Sequence, residues 1–311
     1  GGNDRLFGGT GVDVTTGGAG DDWHYVDNAG DQVVEGASEG TLDRVFASAS
    51  YQLGAGAHVE VVSTDNHGGT AAINLTGNAL ANMIYGNAGA NTLDGGGGND
   101  RIFGLGGDDH IVQTGAAGGR AIIDGGDGMD TYQLNGSAGA EAFVIYSRAA
   151  AEGAIAGLSL SAGTEIVVTR NGQVIAELDN VEEINVNALN VSSPGGVAPG
   201  GSGGDGGDTI QVIGDFNPTS LNFNTITVNG GDGDETVDIS GLTSAHRLVF
   251  NSGGGDDQVL GDLRAQDVVN GSGFAGPASA AGTGHGIRFD AADIHDLGRH
   301  VLENSWDYMF A

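Results

Sequence analysis

Cysteine and lysine are both absent from the 311 residues, and the 10 positive side chains, all arginine, stand against 41 acids. Without cysteine there is neither a disulfide framework nor a thiolate metal site, so a chain of this kind that works outside a cell needs another cross-link. The formal charge of −31 argues against nucleic acid as a partner. No run of about 18 apolar residues occurs, so no transmembrane segment is expected. The opening residues GGNDRLF show neither a methionine start nor a signal-peptide pattern, and begin inside a repeat, as expected of a fragment of a longer protein. With 6 % aromatic residues beside 61 glycines, an ordinary compact core is not to be expected either.

Glycine, by contrast, occurs 61 times, and it is periodic. Residues 95 to 112 divide into GGGGNDRIF and GLGGDDHIV, each with an acid at its sixth place and an isoleucine at its eighth. A first block holds the half unit GNDRLF, then GGTGVDVTT and GGAGDDWHY, which places Asp4, Asp13 and Asp22 nine residues apart. A second runs unbroken from Gly77 to Val112 in four units, with Asn82 and Asn91 in the acid place of the first two, and is followed by GGDGMDTYQ from Gly125. A third is irregular: GGDGGDTIQ from Gly203, GGDGDETVD from Gly230 with Glu235 in the acid place, and SGGGDDQVL from Ser252.

A tight glycine turn followed by a short strand lets two such units close one circuit of 18 residues, so that identical places stack. The glycines permit positive φ and bring carbonyls inward, while the eighth-place residue faces the interior. Acids stacked about 4.8 Å apart repel by roughly 3 to 4 kcal/mol at an effective dielectric near 20. A divalent ion reverses that sign, and calcium accepts six to eight oxygens from carboxylates and carbonyls. The repeat blocks are therefore expected to be largely disordered without calcium and to fold on binding it, with an affinity of about 10⁻⁴ to 10⁻³ M. Asp4 with Asp22 is the firmest expected pair; Asp109 stacked on Asn91, and Asp100 on Asn82, have less charge and are expected to be weaker.

The nonapeptide resembles the calcium-binding repeat of RTX, or haemolysin-type, proteins exported by type I secretion. That resemblance implies an all-β parallel β-roll or β-solenoid and several Ca2+ ions. The implied ligands are Asp4, Asp13, Asp22, Asp100, Asp109, Asp130, Asp208 and Asp257. Asn82, Asn91 and Glu235 depart from the pattern, and Gly2, Gly9, Gly11, Gly18, Gly20, Gly96, Gly98 and Gly107 complete the implied sites. It also implies a secreted protein, the type I machinery as a partner during export, and a C-terminal region of something larger. WDYMFA, with Asp307 before Tyr308, Met309 and Phe310, looks like the family's uncleaved export signal. The stretches 163–187 and 235–269 are similar to the tails of bacterial secreted proteins, some of which have an animal-type haem peroxidase domain upstream.

The expected organisation is the end of a first repeat block (1–25), a β-rich spacer (26–76), a second block (77–134), a spacer (135–191), a linker (192–204), a third block (205–269), and a loose segment with a helix and export signal (270–311). Asn171-Gly172 between two apolar runs signals a two-residue hairpin. The C-terminal helix is expected from a cap at Asp290, with Ile294, Leu297, Val301 and Leu302 on one face. His295 and His300 share no helix face, His24 reads as a cap to its block, and Ser244 with His246 lacks a third member for a triad. No catalysis is expected. The function read here is calcium binding that folds and stabilises the chain after export. The alternatives are an adhesin or S-layer module that self-assembles or contacts the cell surface, and an accessory domain of a secreted enzyme.

Overall fold

The computed structural model describes residues 1–114, 119–137, 139–188, 207–222, 226–231 and 233–271. The three residues after each sixth place contain no glycine, and there the chain can extend into strands, such as Arg5–Phe7, Met83–Tyr85, Arg101–Phe103 and His110–Thr114. Among the described residues these strands build a thirteen-stranded sheet and a nine-stranded sheet, with Val14–Thr16 and Gln32–Val34 forming a two-stranded one. The chain passes from one face to the other and back, so strands next but one in sequence pair in parallel. Along one face Arg5 lies beside Trp23, then Arg44, Val61, Met83, Arg101 and Ile122, a coil of 17 to 22 residues. The fold is thus the all-β parallel roll that the repeat implies.

Alternation decides what faces inward. On one sheet His24, Val45, Val62, Ile84, Ile102 and Ile123 stack in register, all buried. On the other Leu75, Leu93, Ile111, Tyr132, Ile184, Ile226 and Leu248 form the facing column, each 0 % exposed. Each such side chain contributes roughly 1.5 to 3 kcal/mol by leaving water. The next coil covers it, so the core is a line of side chains. The described strands continue the same sheets through 26–76 and 135–188.

One excursion breaks the symmetry. Between Ala121–Asp124 and Thr209–Ile213 the larger sheet contains Gln173–Asp179, Ile166–Arg170 and Ala142–Ser147, the middle one antiparallel to both neighbours. The opposite sheet has no insertion there: Thr131–Asn135 pairs directly with Glu183–Asn187. The expected hairpin lies in this excursion, with φ of 50° at Asn171 and 77° at Gly172, the positive pair a type I′ turn needs. A short helix, Arg148–Ala154, also occurs here, within the stretch expected to be a β-rich spacer with a hairpin. Its RAAAEGA composition, with the Arg148–Glu152 ion pair at 2.9 Å, explains it locally. The linker at 192–204 and the helix expected from Asp290 lie outside the described residues. No helix among the described residues is long and apolar enough to cross a membrane.

An amide ladder runs along the nine-stranded sheet. The side-chain nitrogens of Asn187, Asn229, Asn251 and Asn270 donate to the side-chain oxygens of Asn135, Asn187, Asn229 and Asn251 at 2.7 to 2.8 Å. An asparagine repeated at the same place in each coil can both donate and accept, so identical neighbours satisfy one another.

Candidate metal centres

The sixth-place acids lie immediately before strands, so the parallel pairing stacks them into columns. In each column Oδ1 accepts the backbone N–H of the sixth-place residue one coil earlier. Asp22 accepts from Asp4 at 2.6 Å, Asp100 from Asn82 at 2.8 Å, Asp109 from Asn91 at 2.7 Å, Asp130 from Asp109 at 2.7 Å and Asp257 from Glu235 at 2.8 Å. The second oxygens of Asp13, Asp22, Asp109 and Asp130 are buried and accept no hydrogen bond. A buried carboxylate oxygen without a donor is costly unless a cation faces it. Asp4 joins its column at an exposed end, and Asp208 takes the backbone N–H of Glu141 at 2.7 Å.

The first glycine of each unit lies against its own sixth-place side chain. A methyl group at Gly8, Gly95, Gly104 or Gly125 would collide with the carboxylate of Asp13, Asp100, Asp109 or Asp130 respectively. A residue without Cβ lets the carboxylate lie that close to the turn. Gly2, Gly9, Gly11, Gly18, Gly20, Gly96, Gly98 and Gly107, at second or fourth places, have φ between 80° and 134°. Leu105 sits at a second place with φ 77°, a strained conformation for an L-residue. The donor set of carboxylates and glycine turns fits a hard cation such as calcium.

Asn82 and Asn91 behave differently from the acids. Their amide nitrogens donate to the carbonyls of Val59 at 2.8 Å and Ile73 at 3.0 Å, and their oxygens accept from Asn78 and Asn87, both at 2.9 Å. A carboxylate could not make the donation. Glu235 occupies its place in the third block's column, 1 % exposed, and accepts from the Gly231 N–H at 3.1 Å. A separate ladder lies on the outside, made by fifth-place side chains that reach the other way. Asn3 accepts from the backbone of Asp21, Asp21 from Thr41, Asn99 from Arg120, Asp108 from Met129 and Asp234 from Asp256, at 2.8 to 3.0 Å.

The columns also include acids that the glycine-rich units did not mark. Asp31 accepts from Asp13 at 3.0 Å, Asp43 from Asp22 at 2.7 Å, Glu60 from Asp43 at 2.7 Å and Glu182 from Asp130 at 2.8 Å. Insertions move Asp43, Glu60 and Glu182 off the ninth place, whereas Asp31 keeps it, nine residues after Asp22, in a unit VDNAGDQVV that lacks the glycine pattern; each stands at the start of a strand, and LD-RVF and VE-EINV are signals of that kind. Burial pushes Asp100 and Asp109 up to about 7, with Asp130 and Asp108 adding to the effect at Asp109. Burial likewise raises Asp43 and Asp130 to about 6, and raises Glu35 and Asp257. These acids resist ionisation until positive charge arrives.

Four further titratable groups among the described residues are held by hydrogen bonds. Buried His24 has Thr15 Oγ1 at 2.7 Å from Nδ1 and Glu35 Oε1 at 2.6 Å from Nε2, and burial lowers its pKa. A neutral ring that accepts the hydroxyl and donates to Glu35 satisfies both contacts. His246 lies between Ser244 Oγ and the Leu221 carbonyl, each at 2.9 Å. Asp94 accepts from its own turn at the Gly96 N–H, and Asp124 from the side chain of Asn180.

The family model of the RTX calcium-binding nonapeptide repeat matches residues 1–23 and 76–111, in four copies. The chain therefore contains RTX repeats, and calcium binds them at several sites. Asp4, Asp13, Asp22, Asn82, Asn91, Asp100 and Asp109 fall within the matched stretches. No curated protein matches the chain.

Proposed function

We propose that calcium bound between stacked turns folds and stabilises this chain as the C-terminal region of a large protein exported by type I secretion. The ions are held at the sixth-place residues Asp4, Asp13, Asp22, Asp100, Asp109, Asp130, Asp208, Glu235 and Asp257. The positive-φ glycines form the turns around them. Asn82 and Asn91 serve as neutral ties rather than ligands. The carrying observation is the set of buried second oxygens on Asp13, Asp22, Asp109 and Asp130, which have no donor among the described residues. In the low calcium of a cytosol the acids repel and the chain remains loose enough for a channel; outside, calcium closes the roll. RTX repeat proteins are typically secreted, which supports this reading.

Circular dichroism of the full chain during a calcium titration tests the folding step. A β signal that grows from chelator to millimolar calcium is expected, and identical spectra throughout would overturn the reading. Export is tested apart from this, by deleting residues 287–311: loss of secretion is expected, and undiminished secretion removes the export assignment while leaving calcium binding intact.

A further inference from the structure

The first repeat block ends on a turn that does not follow the nonapeptide. Residues 36–43 read GASEGTLD and stack over the turn 17–22, and the register sets Glu35 opposite Gly17 and Asp43 opposite Asp22. One oxygen each from Asp22, Glu35 and Asp43 lies within 4.8 Å of the others, and the three residues are at most 2 % exposed. Each has one oxygen held by a backbone N–H: Asp22 Oδ1 by Asp4, Glu35 Oε1 by Gly17 and Asp43 Oδ1 by Asp22. No arginine in the described ion pairs reaches any of them, and the ring that touches Glu35, His24, is neutral.

Crowded acids alone would establish little. Here Asp22 Oδ2 and Glu35 Oε2 are buried without any hydrogen-bond partner. A methyl group at Gly17 would strike both Glu35 and Asp22 Oδ2, so the two carboxylates converge on one space that only glycine leaves open. We propose that Asp22, Glu35 and Asp43 form a calcium site outside the nonapeptide pattern, which ties the end of the first repeat block to the divergent turn 36–43. The inference rests on the calcium reading above. All three donors are hard oxygens and together bring three negative charges, a set suited to calcium rather than to a softer metal. His24 acts as a positioning group that fixes the Glu35 carboxylate from behind. With more charge than the Asn82–Asp100 pair, this site fills earlier in a titration.

The test counts ions. Full-length Glu35→Gln and Asp43→Asn are passed through gel filtration in calcium beside the wild type, and bound calcium is measured by mass spectrometry. Each variant is expected to hold one ion fewer than the wild type and to lose the earliest phase of the titration. An unchanged count in both variants would overturn this site alone, whereas a wild type without calcium would overturn the underlying reading too. Should either variant misfold, crystals of the wild-type chain grown in millimolar calcium decide the matter. An ion between Asp22, Glu35 and Asp43 is expected, and ions elsewhere with none there would refute the proposal.

Discussion

The backbone N–H of Asp109 donates to Oδ1 of Asp130 at 2.7 Å, 21 residues further on, leaving the other oxygen of Asp130 buried without a donor. One carboxylate thus performs two tasks: the first oxygen sets the register between coils, and the second is available to a cation. Separating these tasks by substitution gives the first prediction.

Asp109→Asn retains an oxygen for the Asn91 N–H but removes a charge that burial already disfavours. Two opposite effects are expected. In chelator at pH 8 the variant should show more β structure than the wild type, and in millimolar calcium it should melt lower and bind about one ion fewer. Thermal melts in both conditions measure this, and lines that fail to cross would contradict the double role.

Acidification should act with opposite signs in the two states. Asp100 and Asp109 are held near 7, and Asp43 and Asp130 near 6, all above their ordinary value of 3.8. A raised folded pKa means the folded form takes up protons more readily than the unfolded one, so without calcium its stability rises as pH falls through 7 toward 4. With calcium, protons compete for the same oxygens and apparent affinity falls between pH 8 and 6. Circular dichroism in chelator and calcium titrations across that range check both signs.

Gly104→Ala places a methyl group against the Asp109 carboxylate and the Gly125 carbonyl. Loss of the ion at that turn is expected, with destabilisation on the order of 1 to 3 kcal/mol from overpacking. Gly153→Ala is the control: nothing lies within 4 Å of the added carbon, and a helix interior gains roughly 0.5 to 1 kcal/mol. Denaturant melts of the two variants should move in opposite directions.

Asn229→Ala interrupts the amide ladder by removing its bonds to Asn187 and Asn251. At about 0.5 to 1.5 kcal/mol for each hydrogen bond, a loss of roughly 1 to 3 kcal/mol is expected. No charge is involved, so the loss in millimolar calcium should not shrink as more calcium is added, and the number of bound ions should be unchanged. Chemical denaturation at two calcium concentrations measures it.

The sequence made the repeating part of this molecule readable because one residue type does one job at each place. Glycines at the second and fourth places have the left-handed φ that their spacing implies, the eighth-place residues fill the core, and Asn171-Gly172 turns a hairpin. What stayed hidden depends on coils of unequal length. Asp43, Glu60 and Glu182 reach the columns only after coils of unequal length have shifted them off the nine-residue count, and Glu35 keeps the count but stands at a first place where the pattern has glycine. The excursion carrying Ala142–Ser147 and Ile166–Arg170 was equally unreadable, since alternating residues show that a strand exists but not which neighbour it joins. The asparagine ladder escaped notice because its members are 52, 42, 22 and 19 residues apart.

Adjacent residues within a turn grip opposite neighbours: Asp108 holds the coil that follows, while Asp109 holds the one before. Every turn built this way presents a socket on one side and a plug on the other. Whole coils can therefore be duplicated or deleted without redesigning the joint, so the roll can change length by recombination between its own repeats while its cross-section stays the same.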